Sequence, residues 1–265
     1  MNRLLLSVST ACLALATTAT PALAGNRATV VQNGSALIVQ TTQDKGTNGK
    51  IEIDQSGANN SIKLYQEDTD KGLDRGNGAA TAAFITQAGH DNKINSFTTV
   101  TTPFLGQRKT DGIGNLIAQV EQDGDHNVAN YDQHAASGSV NLFQHGHFNQ
   151  TEMAQYGNDN FVSISQAGEN NGVRTTQSGE SENLLITQAG TNNQLASKQF
   201  GSQDYADLHQ SGTGNYAAVN QFTDADNALV EQHGDNGLIV LQQTTAFSMA
   251  NLSQYGTGNS ITSVQ

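Results

Sequence analysis

Residues 188–199 read QAGTNNQLASKQ, a stretch that opens and closes on glutamine with a spacing of eleven. Stepping by eleven in both directions lands on Gln122, Gln133, Gln144, Gln155, Gln166, Gln177, Gln188, Gln199, Gln210, Gln221, Gln232, Gln243, Gln254 and Gln265. Three insertions reset the same frame nearer the N-terminus, where it takes in Gln32, Gln43, Gln55, Gln66 and Gln87, with Thr98 in the one position that lacks glutamine. A fixed period of this kind means a stack of like units.

An eleven-residue period also suits a right-handed helical supercoil. The glycines argue against it. Gly34, Gly57, Gly89, Gly124, Gly146, Gly168, Gly190, Gly212, Gly234 and Gly256 recur two residues after every other glutamine, and each would cost a helix about 1 kcal/mol. Strands account for the pattern instead. Of the 40 positions lying four and two residues before the ladder position, 34 are Ala, Val, Ile, Leu, Met or Tyr and none is charged. The intervening positions hold ten charges, Glu52, Asp54, Arg174 and Glu231 among them. One face of each strand is therefore buried and the other wet.

The chain thus reads as all-β: strands of about six residues and turns of about five, two units making a 22-residue coil, and about ten coils stacking into two facing parallel sheets. The glutamines share the parity of the buried residues. So do Asn60, Asn92, Asn127, Asn149, Asn160, Asn171, Asn193, Asn215 and Asn259, each six residues before a ladder position. A lone buried amide costs about 1–3 kcal/mol, but a stack of identical amides satisfies donor and acceptor together. Asparagine and glutamine ladders at the corners are the expectation.

Met1-Asn2-Arg3, the apolar run from Leu4 to Ala16 and the Ala22-Leu23-Ala24 pattern read as an export signal over residues 1–24, cut after Ala24. Cys12 sits inside the apolar run, and Ser9, Thr10 and Ala11 before it fit a lipobox poorly. Beyond that signal there is no cysteine, so disulfides and thiolate metal sites are excluded for the exported product. No later stretch reaches the roughly 18 apolar residues of a membrane helix. The formal net charge is −12, and only Arg174 and Lys198 supply positive charge after Thr110, which argues against a nucleic-acid partner.

The motif Gln-x-Gly-x-x-Asn-x5-Gln stands intact from Gln55 to Gln66, Gln122 to Gln133, Gln144 to Gln155, Gln166 to Gln177, Gln188 to Gln199, Gln210 to Gln221 and Gln254 to Gln265. It resembles the curlin repeat of bacterial curli subunits. Residues 25–265 then form the repeat domain. The resemblance implies an exported β-solenoid subunit that self-assembles head to tail into extracellular, cell-surface amyloid fibres for adhesion and biofilm matrix. The implied partners are further copies of itself, a second curlin-type subunit and curli-type export machinery, and no cofactor. The alternative is a minor subunit that nucleates or anchors such fibres. The Gly/Asn-rich leader typical of a major curlin subunit is missing, since Asn26 already falls in the first unit.

The two edges of the stack differ. All the insertions fall in turns after even-numbered units, with loops near 67–80 and 99–114 carrying Lys71, Arg75, Arg108 and Lys109. No polar cap is legible beyond the first or last unit, so an open polymer is expected. His145 and His147, with His134 nearby, are expected to be surface residues, because no cysteine or carboxylate set accompanies them at a metal-site spacing. No nucleophile elbow, phosphate loop or zincin helix is present, and an enzyme is not expected.

Overall fold

The computed structural model describes residues 3–8, 14–15, 27–44, 50–68, 80–100, 115–135 and 138–265. They form a β-solenoid of two 11-stranded parallel sheets, and no helix occurs among the described residues. Successive strands alternate between the sheets, so each coil contributes one strand to each. Coil 1 is Arg27–Ser35 and Ile38–Asp44, coil 2 Lys50–Ala58 and Ser61–Asp68, and coil 3 Ala80–His90 and Lys93–Val100. Coil 4 is Asn115–Asp125 and Val128–Ala135, coil 5 Gly138–His147 and Gln150–Asn158, and coil 6 Asn160–Glu169 and Gly172–Glu180. Coil 7 is Asn183–Thr191 and Gln194–Ser202, and coil 8 Tyr205–Thr213 and Tyr216–Gln221. Coil 9 is Asn227–Asp235 and Leu238–Gln243, and coil 10 Met249–Thr257 and Ser260–Val264. The eleventh strand of each sheet comes from the N-terminal residues, where Arg3–Val8 pairs with Arg27–Gln32 and Ala14–Leu15 with Ile38–Val39. Ala22 and Ala24 lie outside the described residues, as does most of both loop insertions.

Alternation builds the core. In coil 6, Val162, Ile164 and Gln166 are buried while Phe161, Ser163 and Ser165 between them are partly exposed. Register then stacks like on like: Val162 lies opposite Leu184, Ile164 opposite Ile186 and Gln166 opposite Gln188. The result is a single apolar column, from Val30 and Val39 in coil 1 to Ala250 in coil 10, fed by both sheets. It supplies the burial that disulfides cannot.

Strands on the first sheet run longer than the six residues expected from the period. Asn183–Thr191 continues through Gly190 because that glycine pairs in register with Gly168 below and Gly212 above. On the second sheet, Gln194–Ser202 extends through Gly201 in the same way, whereas Tyr216–Gln221 and Leu238–Gln243 stop at the glutamine. The residues that follow there are Phe222-Thr223 and Thr244-Thr245, without the glycine. In coils 7 to 9 the second-sheet ladder passes the corner where glycine stands and stops where it does not.

Candidate functional site

Among the described residues, the stacked amides and their corner turns are the chemical feature that recurs from coil to coil. On the first sheet the glutamine side chains are joined without interruption from Gln32 through Gln55, Gln87, Gln122, Gln144, Gln166, Gln188, Gln210 and Gln232 to Gln254. Every link has the same direction: Nε2 of the earlier residue donates to Oε1 of the next, over 2.7 to 3.0 Å. The amide's second hydrogen goes to a backbone carbonyl across the coil, as from Gln188 to Gly172 at 3.2 Å. Donors and acceptors are thus matched inside a buried column, which is the condition for burying amides at little net cost.

Among the described residues the second sheet's ladder is shorter. It runs from Gln133 through Gln155, Gln177 and Gln199 to Gln221, and a separate link joins Gln243 to Gln265 at 3.3 Å. Gln43 and Gln66 hold the equivalent register positions, though their side chains lie outside the described residues. Thr98 stands between Gln66 and Gln133 in the register. Threonine has no amide to donate onward, and Gln133 Oε1 is left buried without a hydrogen-bond partner. Replacing Thr98→Gln restores the missing donor. The expected gain is about 1 kcal/mol, read as a higher midpoint in guanidinium unfolding; an unchanged or lower midpoint would show that the break is harmless.

The asparagines are paired differently from the amide stack the sequence suggests. Asn193 Nδ2 donates to Ala189 O in its own turn and to Gly212 O in the next coil, both at 3.0 Å, while its Oδ1 accepts the Asn215 backbone N–H at 3.1 Å. Asn60, Asn92, Asn127, Asn149, Asn171 and Asn215 repeat the two carbonyl contacts. The side chain is one methylene shorter than glutamine, so it reaches the turn backbone before it reaches the next amide. Among the described inward asparagines Asn171 to Asn149, at 3.1 Å, is the exception. Asn259, in coil 10, is exposed and keeps only the local bond, to Tyr255 O.

All ten glycines of the first edge, Gly34 to Gly256, have positive φ. Two residues further on, Asn59, Asp91, His126, Phe148, Asn170, Asn192 and Asn236 occupy the left-handed region. Each coil therefore turns with the same backbone path, and the glycine carbonyls stay free to accept the asparagine bonds.

The histidines lie outside this machinery. His145 and His147 face the coil below, with Nδ1 3.9 Å from Asp123 Oδ2 and 3.4 Å from Asp125 Oδ2, and His126 Nε2 is 3.6 Å from Asp91 Oδ2. The His134 side chain lies outside the described residues. Among the described residues no three His, Cys, Asp or Glu side chains converge to hold a metal ion. Tyr156, Phe200 and Phe222, each directly after a ladder glutamine, point outward from the second sheet, and the last two stack at 6.0 Å.

One corner column escapes a reading based on asparagine alone. Five residues after Gln133, Gln155, Gln177, Gln199, Gln221 and Gln243 stand Gly138, Asn160, Glu182, Asp204, Asp226 and Ser248. The period itself marks that position as inward, so three acids there were legible as buried carboxylates.

Residues 139–168 match the family model of the curlin associated repeat. That segment of the chain carries a curlin associated repeat. The matched segment contains Gln144, Gly146, Asn149, Gln155, Gln166 and Gly168, the ladder and corner residues of coils 5 and 6. No curated protein matches the chain.

Proposed function

We propose that this chain is an exported structural subunit that stacks head to tail into extracellular curli-type amyloid fibres, serving cell adhesion and the biofilm matrix. The observation that carries this reading is the one-directional glutamine ladder. Because every coil donates to the next and accepts from the last, the surface a coil offers upward fits the surface another offers downward, in the same register. Such a contact is heterologous and open, which generates filaments.

Gln32 Oε1 supports the same reading. It is buried and has no hydrogen-bond partner, and the residue in register before it is Val8, from the leader strand. Cleavage after Ala24 would remove that strand, freeing both the backbone edge of Arg27–Ser35 and an acceptor suited to a glutamine such as Gln254 of another copy. The amyloid role thus falls on the two glutamine ladders, with the asparagine and glycine corners holding their register. A second curlin-type subunit and curli-type export machinery are the partners this role calls for. Curlin-repeat proteins are associated with extracellular fibres, and a thin, filled solenoid suits a structural role rather than an enzymatic one. No helix among the described residues is long and apolar enough to cross a membrane.

Purified residues 25–265 are expected to form thioflavin-positive fibres unaided, with diffraction at about 4.8 Å along the fibre and about 10 Å across it. Monomers that stay soluble under those conditions, yet seed a different curlin subunit, would replace this reading with a nucleating one.

A further inference from the structure

The column Asn160, Glu182, Asp204, Asp226 and Ser248 lies along the second edge, where coils 6 to 10 begin. Glu182, Asp204 and Asp226 are each 1% exposed. Backbone amides tie each residue to the next coil where length allows. Asn160 Oδ1 accepts the Glu182 N–H at 2.9 Å, Asp204 Oδ1 the Asp226 N–H at 3.0 Å, and Asp226 Oδ1 the Ser248 N–H at 3.0 Å. Asp226 Oδ2 also accepts from Thr223 Oγ1 at 2.9 Å. The longer Glu182 does not fit this scheme. Neither of its oxygens, nor Asp204 Oδ2, has a partner in hydrogen-bonding geometry.

No cation answers these charges. Among the described residues no ion pair reaches the column, and Arg174 and Lys198 are exposed on the outer side of the second sheet. The groups nearest the column on its own turns are Asp159, Glu180 and Asp224, all acidic and exposed. Since no three acidic or imidazole side chains converge on a metal position, the remaining way to neutralise the buried charge is protonation.

We propose that Glu182 and Asp204, stacked on one edge with Asp226, form a proton-operated latch, which closes the second edge of these coils in acid and loosens it as the two carboxyls ionise. Protonated, Glu182 and Asp204 each gain a hydroxyl that donates to an oxygen of the neighbouring residue, as the amides do in the ladders beside them, while Asp226 serves as an acceptor. Ionised, carboxylates one strand spacing apart, about 4.8 Å, repel one another away from water.

The titration behaviour agrees with this geometry. Burial, and then the charge of Asp204, raise Glu182 from 4.5 to about 8, despite the nearby amides of Ser178 and Gly201. Burial, followed by the charges of Asp226 and Asp224, raises Asp204 from 3.8 to about 6, against the Asp226 amide. Both groups hold protons more tightly folded than unfolded. Their contribution is full below about pH 4 and is lost as pH rises through about 6 to about 8.

Amide hydrogen exchange of the full chain, read by mass spectrometry at about pH 5 and about pH 8.5 and corrected for intrinsic exchange, tests the latch. Protection at residues 178–182, 200–204 and 222–226 is expected to fall roughly tenfold or more at the higher pH, while the glycine-edge turns 188–193 and 210–215 hold theirs. The triple variant Glu182→Asn, Asp204→Asn, Asp226→Asn extends the column's own Asn160 and should abolish the difference. Equal protection of the wild type at both pH values, or a pH-dependent loss that survives in the triple variant, would overturn the proposal. The comparison is internal to each chain, so it stands whether or not fibres form.

Discussion

Gly190→Ala is expected to be among the most damaging single-methyl changes in this chain, costing about 3 kcal/mol or more. Two effects add. Gly190 has φ +111, a backbone conformation that L side chains rarely adopt. A Cβ there would also overlap the Gly212 carbonyl oxygen of the next coil, a backbone atom that cannot rotate away. That oxygen already accepts from Asn193 Nδ2 at 3.0 Å, so moving it breaks the corner as well. Gly258→Ala is the matched control. Its φ is +68 and nothing lies within 4 Å of the added Cβ, while Asn192 and Asn236 occupy the same turn position at φ 58 and 54. That change should cost about 1 kcal/mol. Guanidinium unfolding midpoints separate the two, and equal losses would mean that the close glycine stacking is not what holds the edge.

The glutamine period and the parity of its neighbours were enough to read the two-sheet solenoid, because a residue's face in a strand follows from counting by two. Counting does not reveal which backbone atoms meet at a corner. The asparagines were therefore legible as inward residues, yet their partners, the carbonyls of Ala189 and Gly212 in the case of Asn193, depend on turn geometry. Strand ends were hidden for a related reason. A glycine such as Gly190 reads as a turn in one unit, but stacked on Gly168 and Gly212 it extends the sheet. The acids Glu182, Asp204 and Asp226 were missed although they share the parity of Asn160, since charge ordinarily signals a solvated turn. Here the register overrides that prior, and all three are buried.

Gln188→Glu isolates the direction of the ladder, because it keeps the side chain's shape and changes only which atoms donate. In the native column Gln188 Oε1 accepts from Gln166 Nε2 at 3.0 Å and Gln188 Nε2 donates to Gln210 Oε1 at 2.8 Å. A carboxylate can still accept from Gln166. Toward Gln210 it presents an oxygen where a donor is required, and toward the Gly172 carbonyl likewise. An uncompensated charge in a fully buried column should cost about 4 kcal/mol at pH 8. Burial holds such a carboxyl above its ordinary range, so the folded state binds the proton more tightly and stability returns as pH falls. Once protonated, the hydroxyl can donate to Gln210 Oε1 and the chain of bonds closes again. Gln188→Met provides the contrast: it leaves Gln210 Oε1 unpartnered at every pH, for a loss of about 2 kcal/mol that acid does not repair. Unfolding midpoints taken relative to the wild type at the same pH, about 4 and about 8, should show recovery for the glutamate variant alone. If both variants respond alike to acid, the ladder acts through packing rather than through its ordered donors and acceptors.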